Sequence, residues 1–138
     1  MRPETEAWVE DAEYDLQSAK VMLDSGRYFF VVFMCHLTIE KLLKSVIVER
    51  HGLEPPRMHN LFGLIARAGL TIPAERRPLI NELDNMSVVT RYPDGRRAIA
   101  STLTAESTTA LYERPLEFAS WLKQELTSSP ASGTTPKS

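Results

Sequence analysis

The sequence predicts an all-α protein, an up-down four-helix bundle with an additional short helix. Two observations carry this. Apolar residues recur at steps of three and four along several long stretches. Glycine and proline breaks separate those stretches, and no two alternating segments flank hairpin chemistry.

The chain is organised around Tyr28–Arg50, YFFVVFMCHLTIEKLLKSVIVER. Tyr28 to Cys35 is apolar on every side. From His36 onward Ile39, Leu42, Leu43, Val46 and Ile47 recur at helical spacing, while Glu40, Lys41, Lys44 and Ser45 point elsewhere. This predicts one helix about 34 Å long, buried at its start and half-exposed beyond. FFVVF has strand propensity, but no turn separates it from HLTIEKLLK.

The first helix is expected over Glu4–Asp24, where Trp8, Ala12, Leu16, Ala19 and Leu23 form the apolar stripe. Glu4, Glu6 and Glu10 suit the positive end of its dipole, and Gly26 supplies the stop. Asp15, beside Leu16, is expected as a surface acid. The short connection makes the first two helices antiparallel neighbours. Glu54-Pro-Pro-Arg57 breaks the second. A short helix follows over His59–Ala68, with Asn60 as N-cap, His59 at its start and Gly69 closing it. Another is expected over Pro78–Val88, with Ala74–Arg77 open to being a separate turn. Tyr92-Pro-Asp-Gly95 reads as a tight turn: Pro93 presets φ and Gly95 tolerates positive φ. The last helix is expected over Ala105–Leu126, capped by Thr104 and kinked at Pro115. One helical domain is therefore expected over residues 1–126, with a disordered Ser/Thr/Pro-rich tail over 127–138.

At 138 residues, with 43% hydrophobic and 25% charged side chains, the composition is that of a soluble globular domain. Cys35 is the single cysteine and its neighbours are apolar, so a buried, inert thiol is expected and no oxidising compartment is indicated. The acidic N-terminus lacks a signal-peptide core, and the longest apolar run is too charged to span a bilayer. A cytoplasmic protein with no membrane partner is expected. One cysteine and three scattered histidines exclude the usual zinc pairings. Glu-x-x-His and the glycine-rich phosphate loops are absent, so no metal or cofactor is expected.

Two constellations remain. His36, Glu40 and Lys44 stand at i, i+4 and i+8 on one helix face. The plainer reading, which is preferred, is a solvated stripe with one ion pair worth about 0.2–0.5 kcal/mol. The sharper reading is the lining of a polar cleft. The second constellation is Arg91, Tyr92, Asp94, Arg96 and Arg97, a dense cluster on a mildly acidic chain of net charge −2. It could hold phosphate through charge-assisted hydrogen bonds and stack a ring. It is not the broad basic face of a DNA binder, so no DNA partner is expected.

From Trp8 to Leu126 the chain resembles the HEPN domain family (higher eukaryotes and prokaryotes nucleotide-binding). The resemblance rests on Trp8, Ala12, Asp15 and Leu16, then on Gly26, Tyr28, Glu40, Lys41 and Lys44. It continues through His59 and Leu61 to the RYPD of Arg91–Asp94. It implies a helical bundle that pairs as a homodimer. It also implies a partner nucleotidyltransferase in a toxin–antitoxin-like pair, and in many members metal-independent RNA cleavage by an Arg-x(4–6)-His motif. Arg91 matches the motif's arginine, but no histidine follows any arginine at that spacing. The expectation is therefore nucleotide or RNA binding in a polar cleft with weak or no catalysis, because proton transfer is typically worth ~10²–10⁴-fold. The alternatives are an active endoribonuclease, with Arg91 on the phosphate and Asp94, Tyr92 or His36 moving the proton, and a non-catalytic helical adaptor.

Overall fold

The computed structural model describes residues 1–52 and 54–133, with side chains to residue 127. Six α-helices and one 3-10 turn make up the described residues: α1 Pro3–Asp24, α2 Tyr28–His51, α3 Leu61–Ala68, the turn Ala74–Arg76, α4 Arg77–Val89, α5 Pro93–Thr102 and α6 Ala105–Gly133. No strand occurs among them. The all-α bundle matches the expectation. α2 is its axis, flanked by α1 and α6 and, more locally, by α3, α4 and α5.

The helix ends follow local chemistry. Gly52 and Gly69 close α2 and α3 in the left-handed region, at φ 65° and 69°. Leaving Gly52 without a side chain also makes room for Arg2, whose Nη2 would lie 3.1 Å from a Cβ there. α3 begins at Leu61, two residues after the expected start, and the Asn60 side chain accepts from Gly63 N at 2.7 Å as its cap. α6 runs through Pro115 and past Leu126 to Gly133. The expected tail thus falls partly on this helix and partly on residues 134–138, which lie outside the described residues.

The expected Tyr92–Gly95 turn is instead the start of α5. Pro93 occupies the first turn of that helix, Tyr92 is its extended N-cap residue, and Asp94 sits at the positive end of the dipole. Gly95 is not at positive φ. It is needed for closeness: a Cβ there would sit 1.9 Å from the Val89 carbonyl oxygen, so only glycine lets α5 meet the end of α4.

The exposure pattern along α2 departs from the expected one, although Val31, Val32 and Cys35 of its opening are buried. His36, Ile39, Glu40, Lys44 and their neighbours to Val48 are mostly buried, while Phe30 and Phe33 in the apolar opening are exposed. The C-terminal part is enclosed because α1, α6 and α3 cover it and the polar groups find partners there. Asp15 is likewise buried, not a surface acid, because the antiparallel α1–α2 pairing sets its carboxylate 2.8 Å from Lys41 Nζ. The apolar core joins Ile39, Leu42, Leu43 and Val46 of α2 to Leu61, Leu64, Ile80, Leu83, Phe118 and Leu122. Each such side chain contributes about 1.5–3 kcal/mol of burial.

Candidate functional site

Glu40 is the hub. Its Oε2 accepts from Lys44 Nζ at 3.0 Å, one turn along the helix, and faces His59 Nδ1 at 2.9 Å. Its Oε1 lies 3.6 Å from His36 Nδ1. The other ring nitrogen of His36 is 3.4 Å from Asp84 Oδ1, on α4. His36 therefore sits between two carboxylates and can donate to both only when doubly protonated. The plainer reading of a solvated stripe is overturned, since His36, Glu40 and Lys44 are 6%, 5% and 7% exposed.

Asp84 also organises the chain around His59. Its carboxylate accepts from Leu61 N at 2.9 Å and from Phe62 N at 3.3 Å, the free amides at the start of α3. Two carboxylates from two helices thus fix the segment carrying His59. The imidazole itself is 67% exposed, and its Nε2 has no protein partner among the described residues.

Above this hub lies a groove of about 520 Å³. His36, Glu40 and His59 line one part of it, Phe29, Phe30 and Phe33 another, and Arg91 and Arg96 a third. The guanidinium of Arg96 stacks 4.5 Å over the Phe29 ring. Arg97 lines a shallower depression beside it, with Phe29, Phe30 and Arg96. Tyr92 is exposed and lines neither hollow, nor does Asp94. Lys44 lines a separate cavity.

Of the residues singled out in the sequence, His36, Glu40, Arg91 and Arg96 come together. Lys44 reaches the groove only through Glu40. His59, Asp84 and the three phenylalanines join from outside that set. Asp84 carries no clear signal in the sequence, since Asn81 and Ser87 share its helix face. The phenylalanines read as core. Among the described residues no group of three or more His, Cys, Asp or Glu side chains is arranged to hold a metal ion. No helix among the described residues is long and apolar enough to cross a membrane. Burial pushes the Cys35 thiol up to about 12, which makes it a packing residue.

The groove sets two guanidinium groups beside flat apolar rings, with the His59 imidazole held by a buried carboxylate, and groups of these kinds are able to bind an anion and stack a ring. The sequence matches the family model of the HEPN domain over residues 5–125. The crystal structure of an archaeal HEPN homologue superposes with a TM-score of 0.70 and 24% sequence identity, over 91% of this chain and 99% of that one. No curated protein matches the chain.

Proposed function

The chain belongs to the HEPN domain family, and on that premise we propose that its groove binds a phosphate-bearing nucleotide or RNA, with weak or no cleavage. In this reading it works as a homodimer alongside a nucleotidyltransferase, in a toxin–antitoxin-like pair. The observation that carries the binding is the meeting of Arg91 and Arg96 with Phe29, Phe30 and Phe33 around one cavity. Guanidinium forks take phosphate oxygens, and ring faces take bases. The pairing with other chains draws on Phe30, Phe33, Val88, Val89 and Tyr92, which are exposed on the elements framing the groove.

A second reading, an active metal-independent endoribonuclease, is favoured by one observation. His59 lines the same groove as Arg91 and has its Nδ1 on Glu40, so a proton-transfer group is present without the motif's spacing.

End-labelled structured RNA incubated in EDTA tests both. The first reading expects the wild type to retain RNA on a filter without cutting it, and Arg91→Ala to lose retention at least tenfold. Cleavage lost in both His59→Ala and Arg91→Ala would replace the first reading with the second. Neither retention nor cleavage would leave the helical adaptor.

A further inference from the structure

At the far end of α2 lies a second cavity, of about 640 Å³, that shares no lining residue with the groove. Trp8, Pro55 and Pro56 give it flat apolar walls, and Arg2, Lys44 and Arg57 give it cations. We propose that this cavity is a binding site for a small oxyanion carried on a flat ring, a phosphate monoester or carboxylate of an aromatic molecule.

Lys44 is the first reason. It is 7% exposed, and an ammonium carries three donors. Its only hydrogen bond among the described residues goes to Glu40, and its Nζ lies 5.7 Å from the centre of the Trp8 ring. A buried cation with unused donors lining a cavity is a group waiting for an acceptor. Arg57 is the second. It is exposed at the mouth and makes no hydrogen bond or ion pair among the described residues. Arg2 is different: its Nε donates to the Glu49 carbonyl at 3.3 Å and it packs on Gly52, so it is already fixed. Glu4 and Glu54 line the same cavity. With Glu40 already paired to Lys44, they leave the cavity without excess positive charge, which opposes a polyanionic strand and leaves Arg57 and the spare donors of Lys44 to meet a single compact anion. The Trp8 ring and the two prolines have no such anion to answer, and they account for the ring.

The site uses none of the groove residues, so it stands or falls apart from the RNA reading. The test is tryptophan emission of the full chain in a Trp121→Phe background, which isolates Trp8. It is titrated with phenyl phosphate, benzoate and inorganic phosphate. Saturation is expected with a ring-bearing anion, about tenfold tighter than with inorganic phosphate, the scale of one ring stack. Arg57→Ala, an exposed change that spares the fold, should weaken it about tenfold. Arg91→Ala should leave it within about twofold. No saturation, indifference to Arg57→Ala, or equal binding of inorganic phosphate would overturn the proposal. Loss in Arg91→Ala would overturn it too, by moving the ligand to the groove.

Discussion

Along α2, Tyr28–Cys35 is the apolar third, yet Phe30 and Phe33 are 37% and 48% exposed. The following turns hold His36, Glu40 and Lys44, and these are buried. Val31, Val32 and Cys35 are buried as expected, but these two rings and these three polar groups run against the tendency that apolar groups go inside and charges outside. His36 and Glu40 line the same groove as the rings, and Lys44 braces Glu40 from outside it. Rings left in water and charges taken out of it, side by side, are what the proposed binding reading would need.

The hub half should break hardest. Glu40→Ala leaves Lys44 buried without its acceptor, and removing one partner of a buried pair costs about 3–5 kcal/mol. Urea unfolding should show that loss with an unchanged m-value. The double change Glu40→Leu with Lys44→Leu sharpens the point. Replacing both partners by apolar groups is often neutral or stabilising, by up to about 4 kcal/mol. If the double variant regains wild-type stability yet loses RNA retention, the charges serve the groove. If it stays as unstable as Glu40→Ala, the hub is structural.

The rim comes next. Gly95→Ala drives a Cβ into the Val89 carbonyl and must push α5 off the end of α4. Overpacking of this kind costs about 1–3 kcal/mol. Because Arg96 follows Gly95 directly, RNA retention should fall more steeply than stability does. Equal losses in a filter assay and a urea titration would mean that α5 positions nothing.

The aromatic half should respond in the opposite way. Phe33→Ser changes a half-exposed ring, so monomer stability should move by no more than about 0.5 kcal/mol. Retention of RNA, or self-association measured by sedimentation, should nonetheless drop. A stability loss of core size would show that Phe33 belongs to the packing and would dissolve the contrast between the halves.

How legible this was differs between the halves for a physical reason. The end of α1 and the break after α2 can be read because Gly26, Pro55 and Pro56 act locally, through their own backbone. The burial of Glu40 could not, because it depends on what lies across from it. His59 reaches Glu40 from 19 positions away and Asp84 reaches its neighbour His36 from 48, and periodicity within one helix is blind to them. The same holds for Asp15, whose burial depends on Lys41 across the α1–α2 pairing. Arg91 and Arg96 stand out by density alone, but their setting does not. Pro-Asp-Gly opens a turn and opens a helix equally well, and only the Val89 carbonyl against Gly95 decides between them. Apolar spacing and the glycine and proline breaks supply the bundle; the groove needs the tertiary contacts.

The smallest effect lies at the last turn of α2, where a charge is stabilised by the start of α1 and not by a hub. Arg2's backbone N–H donates to the Glu49 carboxylate at 3.0 Å and Thr5 Oγ1 donates at 2.9 Å. The Arg2 amide, more than the threonine, holds this carboxyl below its ordinary value of 4.5, against a smaller opposing effect of burial. The folded value is depressed, so the stability it contributes is present above the ordinary glutamate range. That stability is lost as pH falls through the folded value. Glu49→Gln should therefore lower stability at neutral pH and flatten the acid limb below pH 4.5, while Phe33→Ser leaves that limb unchanged. Thermal melts from pH 7 down to pH 3 on the three proteins measure this. An acid limb that is unchanged in Glu49→Gln would mean that the carboxylate at this end of α2 is as free in the folded chain as in the unfolded one.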